Sequence, residues 1–172
     1  MLQGRGSTVD GLCMEVYVMK TTVRIAAGVV FAALVIALAY AGQTMYTTAQ
    51  AGNVEAMEDR IIELNNLYRA QAGLPPLAES DALNRAADIR VQECGNCFSH
   101  TRPDGSEWWT VEPDYAYGEN LALGYTDADA TVDAWMRSPA HMYNIMSPDF
   151  HTCGVGVEII GGTVYYVAEY GY

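Results

Sequence analysis

CGVGVEIIGGTVYYVAEYGY, Cys153 to Tyr172, is the stretch on which the fold reading turns. Two runs rich in β-branched and aromatic residues flank Gly161-Gly162. This predicts a β-hairpin with a two-residue turn, because both turn positions need positive φ and glycine adopts it readily. Upstream the period changes. Met57, Ile61, Leu64 and Tyr68 recur at helical spacing, Gly73 ends that helix, and Pro75-Pro76 prevents its return. Ser80 is placed to cap a second helix, with Leu83, Ala86, Ala87 and Val91 on its apolar face and an end near Glu93. Thr126 is predicted to open a third, paired with Asp129 in a capping-box-like arrangement, with Val132, Trp135 and Met136 inward. Ser138-Pro139 starts a short fourth helix that runs to Met146. Helices first and strands last predict an α+β fold.

The 172 residues suit one domain plus a leader. From Ile25 to Ala41 the chain is apolar and uncharged; Lys20 and Arg24 precede it, and no further Lys or Arg occurs before Arg60. Positive charge stays on the cytoplasmic side, so the remainder of the chain is expected outside the cell. The length of the apolar block falls between a signal peptide and an anchor. Ala39-Tyr40-Ala41 and Ala49-Gln50-Ala51 both suit signal peptidase, and Met19 opens what reads as a complete signal start. Residues 1–41 are therefore read as a cytoplasmic tail plus signal peptide or signal anchor, 42–54 as a linker, and 55–172 as the exported domain. From residue 42 onward there are 6 basic and 19 acidic residues, a net of −13, and no lysine. Such a surface repels phosphate backbones and excludes nucleic acid as a partner; its acidity is read as serving solubility.

Chemistry concentrates in CGNCFSHTRPDG, Cys94 to Gly105. Phe98 follows Cys97, so the segment does not attach haem. No second pair of ligands stands at zinc-finger spacing, and the motif does not open a helix after a strand as a thioredoxin-like site would. Export favours a disulfide, and only Cys94, Cys97 and Cys153 lie in the exported part; the expectation is Cys153 joined to Cys94 or Cys97. Arg102-Pro103-Asp104-Gly105 has the signature of a type I turn. His141, three residues after Ser138, sits where the helix dipole disfavours the imidazolium, and Asn144 lies one turn on. Glu119, beside Gly118, is a carboxylate able to orient a histidine ring. The aromatic stretch from Trp108 to Tyr117 is a candidate ligand surface.

Taken in order, these pieces resemble the CAP superfamily (cysteine-rich secretory proteins, antigen 5, pathogenesis-related 1), in its bacterial SCP-like branch. The motifs are Arg69-x-x-x-Gly73-Leu74-x-Pro76-Leu77, Phe98–Gly105, Gly118-Glu119-Asn120-Leu121-Ala122-x-Gly124, Trp135-Met136-x-Ser138-Pro139-x-His141-x-x-Asn144-Ile145, Gly154-Val155-Gly156 and Tyr165–Gly171. The resemblance implies a three-layer α-β-α sandwich with an antiparallel sheet over residues 55–172. It also implies a cleft whose two histidines and acids can hold Zn2+ or another divalent cation. His100, Glu119 and His141 match those positions. Many eukaryotic members carry Glu where this chain has Ser138; Glu169 is the candidate replacement.

The expected function is a secreted or surface-displayed module for an extracellular ligand, whether lipid, peptide or cell-wall component, touching the membrane only through the N-terminal segment. The alternative is a hydrolase in which His100, Glu119 and His141 activate zinc-bound water, or a histidine serves Ser99 or Ser138 as general base. Against it, Ser138 reads as a helix cap and Ser99 has no assignable oxyanion hole. A third reading is a purely structural surface protein.

Overall fold

A computed structural model describes residues 9–172, with side chains at 33–45 and from 50 onward. The chain separates into two compact units, the second spanning Gln50–Tyr172. Helix α1 is Val9–Gln71; after it come β1 (Ala78–Glu79), α2 (Asp81–Asn96), β2 (Gly118–Leu123), α3 (Ala128–Arg137), α4 (Pro139–Met146), β3 (Thr152–Ile160) and β4 (Thr163–Gly171). Residues 42–54, expected as a linker, are helical and belong to α1. They contain no proline, and their alanines, glutamines and single methionine, Met45, are good helix formers. The leader expected over 1–41 lies largely outside the described side chains. Among the described residues no helix is long and apolar enough to cross a membrane.

The hairpin forms as its sequence predicts. Ile160 faces Thr163, and Gly161 and Gly162 take φ of +59° and +84°, the pair of positive values a type I′ turn requires. The sheet order is β1-β3-β4-β2. β2, β3 and β4 are antiparallel as expected, but β1 pairs parallel with the start of β3, so the sheet is mixed. After Pro75-Pro76 the chain stays extended, and the Ala78 and Ser80 N–H groups donate to the carbonyls of His151 and Cys153 at 2.8 and 2.9 Å.

Strand alternation sorts the core onto two faces. Ala122, Val155, Val157, Tyr166, Ala168 and Tyr170 pack with Ile61 and Leu64 of α1, Val132 and Trp135 of α3, and Ile145 of α4. Leu121 and Val167 point the other way, against Ala87, Val91 and Cys94 of α2. The result is the α-β-α layering. On the α2 face β3 presents Gly154 and Gly156, and the helix backbone lies directly on them. A Cβ at Gly156 would stand 2.7 Å from the Ala87 carbonyl, and one at Gly154 would collide with the Leu83–Asn84 peptide.

Side chains finish the other joints. Ser80 caps α2 by accepting from Leu83 N–H at 3.5 Å. The cap of α3 is Asp127, not Thr126: its carboxylate accepts from Ala130 N–H at 2.8 Å. Arg69, fully buried, donates to the carbonyls of Pro75, Ile145, Ser147 and Phe150 at 2.8–3.0 Å, fastening the end of α1 to the segment between α4 and β3. The edge of β3 beyond β1 is covered by side chains. Val157 N–H donates to Glu58 at 2.9 Å and Val155 N–H to Asn84 at 3.1 Å. Burial pushes the Glu58 carboxyl up to about 7; Asp88, Asp59 and Glu55 add to the rise, and the Val157 bond opposes it.

These contacts set two expected outcomes. Gly154→Ala is expected to destabilise the fold by about 2–3 kcal/mol in urea titration, because helix backbone cannot yield as a side chain would. Glu58 holds its proton more tightly folded than unfolded, so its contribution is favourable below its ordinary 4.5 and is lost as pH rises to about 7. With solvent screening, the loss is about 1 kcal/mol. Glu58→Gln is expected to flatten that part of the stability–pH curve.

Candidate functional site

The site is built where β2 meets α2 and α4. Alternation along β2 and β4 puts Glu119 and Glu169 on the α2 face, directly opposite each other in the ladder. On α2, Arg90 belongs to the buried stripe Leu83-Ala86-Ala87-Arg90-Val91-Cys94, so its guanidinium is carried to the same place. Its Nε donates to Glu119 Oε2 at 2.7 Å and its Nη2 to Oε1 at 3.3 Å. Nη2 also holds the Ser99 carbonyl at 2.7 Å, and Nη1 meets Glu93 at 2.6 Å. Glu93 in turn pairs with Arg102 of the Arg102–Gly105 turn at 2.7 Å; that turn closes through Gly105 N–H to the Arg102 carbonyl at 2.9 Å. Burial alone would lower the Arg90 pKa, but the bonds from Glu119 and Glu93 outweigh it and the net shift is upward.

This network aims His100. Its Nδ1 lies 2.7 Å from Glu119 Oε1. A carboxylate only accepts, so Nδ1 carries the proton and Nε2 of the neutral ring is left as an acceptor. The carboxylate side chain is 1% exposed and the imidazole 55%: a buried acid orients a ring that reaches solvent. His141, half-buried at the start of α4, has its pKa lowered by burial and then by the nearby charge of His100. Its position is set through the backbone. Asn120 donates to the His141 carbonyl at 3.1 Å and to Tyr170 Oη at 3.3 Å; Asn144 donates to Asn120 Oδ1 at 2.9 Å and to the Glu119 carbonyl at 3.2 Å. His100 and Glu119 are thus in contact, His141 is tied to the same strand through its main-chain carbonyl, and His151 is exposed.

Glu169 adds a second buried acid. Neither of its oxygens meets a donor from another residue. Its carboxyl is raised well above the usual range, first by burial and then by the neighbouring Glu119 charge. A proton retained on Glu169 is the group that can bond Glu119, which resolves an otherwise repulsive pair. Among the described residues no three His, Cys, Asp or Glu side chains form a metal-holding group; both Glu119 oxygens are occupied by Arg90 and His100.

Two expectations are corrected. Cys94, Cys97 and Cys153 are all free. Cys94 packs on the α2 face and Cys153 on the opposite one, so the sheet stands between the thiols expected to join. Ser138 occupies the N-cap position of α4, but its side chain makes no capping bond. It lines a pocket with His141 instead. Ser99 Oγ accepts from Thr101 N–H at 3.0 Å, a local turn contact and not a link to a base. Sequence reasoning missed Arg90 and Asn65, whose Nδ2 donates to Tyr170 Oη at 3.2 Å, and quoted Asn120 only as part of a motif, without a role. The available signal for Arg90 was a charge on an apolar helical stripe.

The α-β-α layering defines the class, and comparison gives the family. The description of the cysteine-rich secretory protein family, CAP, matches residues 62–170; the chain belongs to this family. YkwD of Bacillus subtilis strain 168 is 33% identical over 125 residues, covering 69% of this chain and 49% of YkwD. The chain therefore spans about half the length of that relative. An extracellular SCP-domain protein of Bacillus anthracis shares the fold with a TM-score of 0.60 at 23% identity, covering 69% of this chain and 41% of its own. An outer surface protein of Borrelia burgdorferi does so with a TM-score of 0.57 at 20% identity, covering 64% of this chain and 87% of its own.

Replacing Arg90 by Met leaves Glu119 buried without its partner. The expected cost is about 3–5 kcal/mol, read by chemical unfolding, with the added Glu119→Gln change recovering part of it.

Proposed function

We propose that the chain is an exported, surface-associated binding module whose ligand site is the cleft between His100 and His141, and that this cleft takes Zn2+ or another divalent cation weakly. The observation that carries the reading is the buried Arg90–Glu119 pair behind His100, with the His100 Nδ1 to Glu119 distance of 2.7 Å. A carboxylate behind a histidine fixes the tautomer that offers Nε2 to a cation. His141, held toward its neutral form, supplies the second imidazole. Glu119 serves as orienter and not as ligand. Two protein ligands fall short of the three or four of resident zinc sites, which suits reversible binding.

Binding is favoured over turnover because neither Ser99 nor Ser138 has a hydrogen-bonded base among the described residues. Export is supported by the charge pattern around residues 25–41 and by the extracellular and surface character of the two bacterial structures of the same fold. Attachment through residues 25–41 belongs to the same reading.

Isothermal titration of the purified chain with zinc is expected to show one site, weakened about tenfold or more by His100→Ala and by His141→Ala. Unchanged titration in both variants would remove the cation from the reading.

A further inference from the structure

His141 also lines a pocket of about 340 Å³ that includes neither His100 nor Glu119. Its walls are Phe98, Leu123, Tyr125, Ala134 and Trp135, and one end carries Ser138 and His141. No ionised side chain lines it. The volume sits at the small end of the range for ligand sites, about 300–1,000 Å³: room for one large side chain or a small molecule, not for a polymer. Phe98, Leu123 and Tyr125 at its mouth are exposed although apolar, a grouping that marks an interaction site more often than single exposed residues do.

One wall is a strand edge. β2 pairs only with β4, and Gly124 N–H donates to the Val164 carbonyl at 2.9 Å. The even-numbered residues of β2 therefore face β4, and the main-chain groups of Glu119, Leu121 and Leu123 face outward. The Glu119 carbonyl is taken by Asn144 and the Leu121 carbonyl by Trp135 Nε1 at 3.1 Å. Leu123, at the pocket, has no such partner for its N–H or C=O among the described residues. Ser138 Oγ and the His141 ring make no hydrogen bond there either. The exported part as a whole carries a net charge of −13.

We propose that the pocket and the free end of β2 together bind an extended basic peptide, one large apolar side chain filling the pocket while its main chain pairs with Leu123. An unpaired edge beside a side-chain pocket is the arrangement of strand-addition recognition: main-chain bonds hold the peptide, and the pocket selects the residue. The acidic surface favours cationic flanks and opposes a carboxylate-headed lipid. Ser138 and His141 offer hydrogen bonds to the peptide beyond the anchoring residue. The inference rests on the cleft region being a ligand site, but not on its cation.

The test is amide and indole NMR of the 15N-labelled full-length chain, titrated with end-capped Lys-Phe-Lys, Lys-Ala-Lys and Glu-Phe-Glu and, separately, decanoate. Lys-Phe-Lys is expected to shift the Leu123 amide and the Trp135 indole saturably, and the other two peptides to bind about tenfold more weakly or worse. Ala134→Phe, which fills the pocket, is expected to weaken Lys-Phe-Lys about tenfold. His100→Ala, which lies outside the pocket lining, is expected to weaken zinc about tenfold or more and leave the peptide titration within about twofold. Failure of the unsubstituted chain to bind zinc, with the peptide response intact, thus counts against the cation alone. The proposal is overturned if no peptide moves Leu123, if Lys-Ala-Lys equals Lys-Phe-Lys, or if decanoate occupies the pocket in preference to the peptides.

Discussion

A single buried guanidinium, that of Arg90, organises the α2 side of the domain. It joins a helix, a strand and a loop through hydrogen bonds to both oxygens of Glu119, to Glu93 and to the Ser99 carbonyl. Charges removed from water are costly unless every bond is made. Here each partner constrains the next: Arg102 holds Glu93, Glu93 and Glu119 hold Arg90, and Glu119 holds His100. The His100 ring stands out of the surface, yet its direction is dictated from inside. Rigidity at the rim is inherited from a desolvated network, and a ring so held loses little freedom when it meets a ligand.

The placement of that network depends on how closely α2 approaches the sheet. Gly154 and Gly156 let helix backbone rest on β3, which brings Arg90 within reach of β2. On the opposite face the bulk is reversed, with Trp135, Tyr166 and Tyr170 fully buried among aliphatic residues. One face is closed by absence of side chains and the other by large ones. The Asn120–Asn144–Tyr170 bonds tie the backbone of α4 to the strand that carries Glu119.

Much of this architecture was legible because local signals agreed. The Gly161-Gly162 turn, the Ser80 cap and the apolar stripes all point to the elements observed. What the chain order hid was long-range pairing. β1 is two residues long, too short for any period, and only its partner defines it. Glu169 could be suspected but not placed, since its role depends on register with Glu119. Arg90 and Arg69 read as ordinary helical arginines until their stripes are drawn: Arg69 comes after Ile61, Leu64 and Asn65 on the buried side of α1. The Ser138 expectation was right about position and wrong about the bond, because cap position specifies backbone geometry while the hydroxyl can turn elsewhere. The cysteines misled because export suggests a disulfide whereas sheet faces decide proximity.

The free thiols carry a consequence of their own. Burial pushes Cys94 up to about 11 and Cys153 up to about 12, so both remain protonated and poor nucleophiles at neutral pH. Cys97 is the exposed one of the three, so it is the thiol that solvent oxidants and other thiols can reach. Oxidation is thereby directed to the end of α2 and away from the two packed faces of the sheet, where Cys94 and Cys153 lie.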